Sequence, residues 1–462
     1  MFKQRQRENR RTLRRQSAHV LAAALVLVGS WAAVAFGQGG SQMPPDKTVD
    51  AGLQEEIIDS VAYALNEIYV FPETASAMEK HMREAFQRGD YTELTSLREF
   101  ASRLSEDLQE ISHDGHLHVT FASDEFIARY RGDTITADAA AAQLEQRRRE
   151  NFAFRELKVM PGNVGYVDLR GFSEATEAGA TAIAAMNFLA YTDAIIFDLR
   201  NNGGGSPSMI QLLTSYFMSE PTHLNSFYVR AEDSIQQFWT QAYVPGPRMT
   251  DTKLYVLTSN RTFSGAEEFT YNMKNLKRGT IIGETTGGGA HPVDLRLFAN
   301  LNVRMSLPFG RAVNPISGTN WEGTGVEPDI KVPQEEALDV AYLKALKDLA
   351  AEEDDSDIKG ELEWYIAGLE AQASPFEVKA SQLQAFAGTY GPRRVWVDEG
   401  VLYYQRGENP EFRLVPMSKD TFMLEGLDYF RIQFVRDDGG EVVKLVGMYS
   451  DGTRDSHMRD GK

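Results

Sequence analysis

The sequence contains no cysteine among its 462 residues. That absence excludes disulfide bonds, thiolate ligands for a metal ion, a cysteine nucleophile and lipid attachment through a cysteine. Histidine is scarce as well, with eight residues in the chain, so each candidate for a general base can be considered individually. Any catalytic chemistry must therefore use serine, histidine, lysine, carboxylate or backbone groups.

Basic residues are also fewer than acidic ones. Lys and Arg together number 48 against 66 Asp and Glu, which gives a formal net charge of -18 and a pI near 5.0. A chain this acidic is repelled by nucleic acid and by anionic lipid. We therefore predict no nucleic-acid partner.

The N-terminus departs from this acidic character. A basic stretch, "MFKQRQRENRRTLRRQ", precedes the apolar stretch "HVLAAALVLVGSWAAVAFG", which ends in small residues. This pattern predicts a secretory signal peptide over residues 1–37, cleaved after Ala35 or just before Gln38, and hence a secreted or periplasmic protein. The alternative is an uncleaved membrane anchor, since the apolar run approaches the length that spans a bilayer. We predict no stable membrane insertion unless the signal is retained.

Hydrophobic patterning divides the rest of the chain into four parts. Apolar residues at helical spacing predict three amphipathic helices in an N-terminal helical domain. Apolar strands then alternate with helices, which predicts a parallel sheet covered by helices. A helical linker leads to short alternating strands with turns at Asp398–Gly400 and Asp437–Gly440, which predict a small antiparallel β domain. The predicted boundaries are 51–112, 113–335, 336–375 and 376–462.

One serine invites two interpretations. Ser264 stands in "RTFSGAEEF", directly after a predicted strand and before a predicted helix. Together with Glu267 it fits a capping box, which closes a helix N-terminus without any chemistry. A serine on a sharp strand-to-helix turn also projects its hydroxyl as a nucleophile, and Gly265 permits a tight bend there. This stretch alone leaves both interpretations open.

The histidines that could serve as a base are those outside the termini and the predicted helices, namely His113, His116, His118, His223 and His291. Three of them cluster in "ISHDGHLHVTF", where a predicted strand places His116 and His118 on one face. This spacing also permits a metal site that includes His113 or Asp114, although no second cluster of ligands matches it. The remaining alternative is a set of turn and surface histidines.

Two glycine clusters follow predicted strands, "NNGGGSP" and "GETTGGGAHP". In parallel sheets, function gathers at the loops beyond the carboxyl ends of the strands. Free backbone N–H groups of Gly203–Gly205 and of Gly265 are suited to bind an oxyanion. Neither cluster fits a dinucleotide fingerprint or a phosphate-binding loop. We predict no metal and no organic cofactor.

Four ordered segments resemble the S41 family of serine peptidases: "AIIFDLRNNGGG", "YVLTSNRTFSGAEEF", "GTIIGETTGGGAHP" and "WEGTGVEPDI". The family includes carboxyl-terminal processing proteases, the tricorn core protease and the interphotoreceptor retinoid-binding repeats. The helical region followed by "DGHL" is similar to the retinoid-binding-type branch, which has no PDZ domain. The resemblance implies a ClpP/crotonase-like spiral α/β core, with an N-terminal helical cap, acting on a peptide or protein substrate.

The resemblance also implies roles for individual residues. Ser264 matches the nucleophile, and the N–H groups of Gly204 and Gly265 match the oxyanion hole. The processing proteases have a lysine base where this chain has Gly289. Similarity to the tricorn-like members instead implies His116 as the base, which Glu322 would orient.

Two further positions bear on the mechanism. Gly115 stands where the tricorn pattern has a serine before the histidine, which removes one orienting contact. His291 is a rival base on the loop that carries Gly289. We prefer His116, and place His291 and Gly203 in the substrate cleft.

The sequence therefore predicts an exported serine-type peptidase with a Ser264, His116 and Glu322 arrangement. The alternative is a non-catalytic binding protein for an apolar ligand or a peptide on the same fold. The presence of all three residues favours the enzyme, because a binding protein has no chemical need for them together.

Overall fold

A computed structural model describes residues 44–461 of the chain. The predicted signal peptide lies outside these residues. The chain forms two compact units: the first takes in the described residues up to Lys158 together with Tyr166–Ala337, and the second consists of Val159–Gly165 and the residues from Leu338 onward. Within residues 44–461, no helix combines the length and the apolar character that crossing a bilayer requires.

The first unit contains both helices and strands. Its helices are α1 Ala51–Ile68, α2 Pro72–Arg88, α3 Leu97–Ser112, α4 Asp124–Ile127, α5 Ala137–Arg149, α6 Ala175–Phe188, α7 Pro207–Ser215 and α8 Gly265–Asn275. Its strands are β1 His118–Phe121, β2 Tyr130–Arg131, β3 Thr134–Ile135, β4 Phe154–Met160, β5 Val164–Leu169, β6 Ala194–Asp198, β7 His223–Val229, β8 Ser234–Trp239, β9 Lys253–Thr258, β10 Gly279–Gly283, β11 Val293–Phe298, β12 Val303–Pro308, β13 Gly310–Val313 and β14 Ile330–Lys331.

Helices α1, α2 and α3 agree with the three that the sequence predicts. Asp50 caps α1 by accepting a hydrogen bond from the Leu53 N–H, and Ser96 caps α3 in the same way. Pro72 opens α2, where its missing N–H removes no helical hydrogen bond. The apolar faces of the three helices share one buried cluster with residues of β1 and β12.

A six-stranded sheet in the order β14-β10-β9-β6-β5-β4 forms the centre of this unit. Strands β14, β10, β9 and β6 pair in parallel, as the alternation of strands and helices predicts. Every residue of β6 is buried, which is typical of a strand covered on both faces. Because parallel strands end at the same edge, the loops after β6, β9 and β10 meet there, and these loops carry the glycine clusters and Ser264.

Two three-stranded antiparallel sheets join the central sheet, in the orders β1-β12-β11 and β13-β7-β8. Strand β1 pairs with β12, so that His118 lies opposite Ser306. The prediction that His116 shares a strand face with His118 is wrong, because His116 lies in the turn before β1. The physical reason is a tight turn, in which the Leu117 N–H donates to the Asp114 carbonyl oxygen over 3.2 Å.

The second unit contains helices and one antiparallel sheet. Its elements are α9 Ala337–Glu352, α10 Ser356–Ala373, α11 Ala380–Leu383, β15 Gly388–Tyr390, β16 Arg393–Asp398, β17 Val401–Arg406, β18 Phe412–Pro416, β19 Thr421–Leu424, β20 Leu427–Arg436, β21 Val442–Tyr449 and β22 Arg454–Met458. Each strand pairs with its neighbour in sequence. The Asp460 N–H donates to the Thr389 carbonyl oxygen, which brings the two ends of the sheet together and makes it nearly barrel-shaped.

The turn after β16 illustrates how the sequence determines this sheet. Glu399 and Gly400 both adopt positive φ, 46° and 79°, as a two-residue hairpin turn requires. The predicted fold class, an α/β core with a helical N-terminal region and a C-terminal antiparallel sheet, is confirmed.

Candidate active site

Ser264 occupies a strained position between β9 and α8. Its backbone has φ 53° and ψ -121°, a conformation that residues with a side chain rarely adopt. Its N–H donates to Glu267 Oε2 over 2.8 Å, which is one half of the predicted capping box. A serine held on a strained strand-to-helix turn is also the arrangement that exposes a nucleophile. The cap and the nucleophile are therefore compatible at this residue.

The glycine loop after β6 packs directly against Ser264. A Cβ atom placed on Gly204 would lie 2.7 Å from the Gly265 nitrogen and 2.8 Å from Ser264 Cβ. A Cβ atom on Gly265 would lie 2.8 Å from the Gly205 carbonyl oxygen. The two segments approach so closely that only glycine fits at both positions.

Asn202 holds this loop in place. Its Oδ1 accepts the Gly204 N–H over 2.9 Å, and its Nδ2 donates to the Leu169 carbonyl oxygen over 2.8 Å. Its own carbonyl oxygen accepts the Phe263 N–H, which ties the loop to the residue before Ser264. This asparagine belongs to the "NNGGGSP" motif, but the motif alone predicted no role for it.

The predicted oxyanion donors are not equivalent in the structure. Gly265 is the first residue of α8, so its N–H has no acceptor within that helix. The N–H of Gly204 is engaged with Asn202, which corrects the expectation that it is a free donor. Gly203, predicted to lie in the substrate cleft, is an exposed residue of this loop.

His116 is buried, with 6% of its surface exposed. Within the described part of the chain, neither of its ring nitrogens has a hydrogen-bond partner. Its ring lies against that of Phe263, with the centroids 4.6 Å apart. Burial lowers the pKa of His116 to about 4, so the imidazole is neutral at pH 7. A buried neutral imidazole without a partner, packed on the residue that precedes Ser264, is a functional candidate, since unsatisfied buried polar groups are rare.

Gly289, which stands where the processing proteases have lysine, lies in a space that has no room for a side chain. A Cβ atom at this position would lie 2.6 Å from His116 Cε1 and 2.3 Å from Phe263 Cζ. Both distances are shorter than any real contact. The rings of His116 and Phe263 therefore occupy the space into which a side chain at position 289 would extend.

Glu267 joins Ser264 to the loop after β10. Its carboxylate accepts hydrogen bonds from the Thr286 hydroxyl at 2.5 Å, the Gly288 N–H at 2.6 Å, the Gly289 N–H at 2.8 Å and the Ser264 N–H at 2.8 Å. Burial raises the pKa of Glu267 to about 7, against the opposing effect of these donors. The sequence identified Glu267 only as part of a helix cap, because its contacts to the distant loop depend on the fold.

His291 lies between two carboxylates. Its Nδ1 is 2.7 Å from Asp114 Oδ2 and 3.5 Å from Glu322 Oε2. The Tyr69 hydroxyl also donates to Asp114 Oδ2, over 3.1 Å. His291 is only 5% exposed. We name Asp114, His291 and Glu322 the acid–histidine cluster.

Burial and neighbouring charges shift the pKa values of all three residues in this cluster. Burial opposes ionisation of Asp114, but the hydrogen bond and charge of His291 hold the pKa of Asp114 below its ordinary value. Burial likewise opposes protonation of His291, but Asp114 raises its pKa. Burial, and then repulsion by Asp114, raise the pKa of Glu322 to about 7. The hydrogen-bonded pair therefore favours an imidazolium on His291 beside an ionised Asp114.

The expected contact between Glu322 and His116 is not formed. Glu322 Oε2 accepts the Ala290 N–H at 2.5 Å and the His291 N–H at 3.2 Å. These amides and the His291 ring hold Glu322 at the loop 289–291, whereas the ring nitrogens of His116 have no hydrogen-bond partner in residues 44–461. The sequence also gave Asp114 no catalytic role, although the "DGHL" motif contains it.

Two family models match the chain. Residues 163–332 match the model of peptidase family S41. Residues 52–154 match the N-terminal domain of peptidase S41 in eukaryotic IRBP. The chain belongs to peptidase family S41. The resemblance drawn from the four segments is confirmed, and membership of this family supports a serine-type peptidase.

Solved structures similar to this S41 peptidase are distant in sequence. Mature CPAF is 12% identical over 71% of this chain and 99% of that chain, with a TM-score of 0.47. The photosystem II D1 C-terminal processing protease is 16% identical over 61% and 94%, with a TM-score of 0.37. A putative peptidase from Parabacteroides merdae is 18% identical over 62% and 90%, with a TM-score of 0.42.

Proposed function

We propose that this S41 peptidase hydrolyses peptide bonds by attack of the Ser264 hydroxyl on the scissile carbonyl. The observation that carries this proposal is the strained backbone of Ser264, held between the glycine loop and the first N–H of α8. That N–H, on Gly265, lies at the positive end of the helix dipole and is suited to stabilise the oxyanion. Covalent labelling of Ser264 by a fluorophosphonate, located by peptide mapping, tests the proposal.

We propose His116 as the general base. Its neutral ring has one nitrogen lone pair able to accept a proton at pH 7 and lies beside Phe263, which directly precedes Ser264. In this mechanism His116 accepts the hydroxyl proton as Ser264 attacks and returns it to the leaving amine. Glu322 acts on this machinery through the loop 289–291, to which its carboxylate is bound, rather than through contact with His116.

His291 remains the rival base, and one observation favours it. Its Nδ1 is bound to Asp114 over 2.7 Å, which is how a carboxylate fixes the orientation of a catalytic imidazole. The observation that supports His116 instead is its position against Phe263 and in the space beside Gly289. Labelling rates of His116→Ala and His291→Ala, compared with the unchanged chain, separate the two.

A binding protein on the same fold is the second candidate. The lack of any hydrogen-bond partner for the ring nitrogens of His116 across residues 44–461, Ser264 included, favours it. A folded chain that shows no labelling at Ser264 and no hydrolysis of peptides or denatured proteins would establish this alternative. Labelling that disappears in Ser264→Ala would exclude it.

We further propose that the peptidase is exported and acts on peptide or protein substrates outside the cytoplasm. The basic stretch and the apolar stretch within residues 1–37 support export. N-terminal sequencing of the mature protein tests this, with a new terminus expected after Ala35 or close to Gln38. Mature protein that begins at Met1 would contradict cleavage.

A further inference from the structure

The acid–histidine cluster has the composition of a transition-metal site. Its three ligand atoms, one from each of Asp114, His291 and Glu322, lie within 4.8 Å of one another. One other group within residues 44–461 meets the same distance criterion, His81 with Asp107 and Glu110. In that group the Asp107 carboxylate is already bound by the Tyr91 hydroxyl and Arg103. The acid–histidine cluster differs because one of its buried carboxylate oxygens, Glu322 Oε1, has no hydrogen-bond donor among the described residues.

Two of the three ligand separations in the cluster are close to those around a tetrahedral ion, and the third is within 4.8 Å. Ligand atoms about 2.0–2.1 Å from a zinc ion in tetrahedral geometry are roughly 3.3 Å apart. His291 Nδ1 is 3.5 Å from Glu322 Oε2, which already matches. The 2.7 Å separation between His291 Nδ1 and Asp114 Oδ2 is that of a hydrogen bond. It needs to widen by roughly half an ångström when an ion replaces the shared proton.

Unpartnered atoms around the cluster point to a missing ligand. Glu322 Oε1 is buried and, among the described residues, has no hydrogen-bond partner. The same holds for both ring nitrogens of His116, two residues from Asp114, and His116 is more than nine-tenths buried. Buried polar atoms without a hydrogen-bond partner commonly mark the place of a bound ion or water.

We propose that Asp114, His291 and Glu322 bind a divalent transition-metal ion of the Zn²⁺ class. One imidazole nitrogen and two carboxylate oxygens are ligands that such an ion prefers, and a water molecule would complete the tetrahedral set. On binding, the ion replaces the Nδ1 proton of His291, which is released to solvent together with any proton on Glu322.

The ion would inhibit the peptidase, a consequence that rests on the proposed function. Asp114 Oδ1 accepts the His116 N–H over 3.0 Å, so a shift of Asp114 moves the turn that carries the base. An ion bound to Asp114 also neutralises the carboxylate nearest to the imidazolium that forms on His116 during attack. The metal therefore acts as a regulator of this site rather than as a catalyst.

Calorimetric titration of the full chain with ZnCl₂, after removal of metals by a chelator, tests the site. Ser264→Ala serves as the background, so that hydrolysis contributes no heat. We expect one saturable site in Ser264→Ala. Adding Glu322→Gln or His291→Ala to this background should weaken its affinity for Zn²⁺ at least about tenfold. His81→Ala is the matched control, because it removes the other three-residue group and is expected to bind as tightly as the background.

The outcomes are separable. No saturable binding, or equal binding with and without the His291 side chain, overturns the site. Thermal unfolding keeps the test valid if a variant folds poorly, because bound Zn²⁺ must raise the unfolding temperature of Ser264→Ala and not that of Ser264→Ala/Glu322→Gln. Slower fluorophosphonate labelling in Zn²⁺ than in chelator supports inhibition, and equal rates overturn it. Failure of labelling in chelator counts against the proposed function and leaves the calorimetric result on the site intact.

Discussion

The rings of His116 and Phe263 lie 4.6 Å apart, and Phe263 directly precedes Ser264. This contact joins the N-terminal part of the chain to the segment that begins α8. Glycine at position 289 is what leaves room for it, since a Cβ atom there would overlap both rings. The candidate base and the candidate nucleophile are therefore brought together by ring packing and not by a direct hydrogen bond.

The two candidate bases predict different variants to be inactive. With His116 as the base, His116→Ala should slow fluorophosphonate labelling of Ser264 by roughly 100-fold or more, the usual contribution of a general base. His291→Ala should slow it less, because its ring acts through Asp114. Ser264→Ala is the control for specific labelling. The reverse order of the two rates would assign the base to His291.

Substitution of Gly289 tests the packing of the two rings. Gly289→Ala should destabilise the protein by about 1–3 kcal/mol, because the added methyl group forces the rings of His116 and Phe263 to move. Labelling of Ser264 should slow as well. Gly203→Ala is the matched control for stability, since a Cβ atom there meets no atom of the described residues within 4 Å. Urea unfolding measures the stability of both variants. Equal midpoints for Gly289→Ala and Gly203→Ala would contradict the packing argument.

Glu267 is expected to hold the active-site loops together. Glu267→Gln replaces a carboxylate that accepts four hydrogen bonds by an amide with one acceptor oxygen, and turns an NH₂ group toward N–H donors. We expect a loss of about 1–3 kcal/mol in the free energy of unfolding and slower labelling of Ser264. A variant as stable and as reactive as the unchanged chain would contradict this role of Glu267.

The buried carboxyl group of Glu268 is expected to make the free energy of unfolding depend on pH. Burial raises the pKa of Glu268 to about 8 from an ordinary value of 4.5. Between these values the folded protein holds a proton that the unfolded chain releases, so this group lowers the free energy of unfolding as pH rises from about 5 to 8. Glu268→Gln removes the decline, which is at most about 1.4 kcal/mol per pH unit. The variant should gain stability relative to the unchanged chain as pH rises.

Urea midpoints at pH 5 and pH 8 measure this effect. The difference between Glu268→Gln and the unchanged chain should be small at the lower pH and should favour the variant at the higher one. A difference that does not change with pH would show that Glu268 ionises in the folded protein as it does in the unfolded chain.

The local elements and the motifs follow from the sequence. Strands β6, β9 and β10 and helix α8 lie where their apolar patterns predict, because each pattern repeats the period of one element and needs no distant partner. Ser264 and the two glycine clusters follow from the same reasoning, since residues at the ends of parallel strands share one edge of the sheet.

The contacts between distant side chains were decided by the tertiary structure. Asp114 and His291 are 177 residues apart in the chain, and only the pairing of β1 with β12 and of β12 with β11 brings their loops together. The same folding directs Glu322 to the loop 289–291 instead of to His116. Periodicity along a chain determines which face of an element is buried, whereas the partner of a buried carboxylate depends on how sheets assemble, which no local pattern contains.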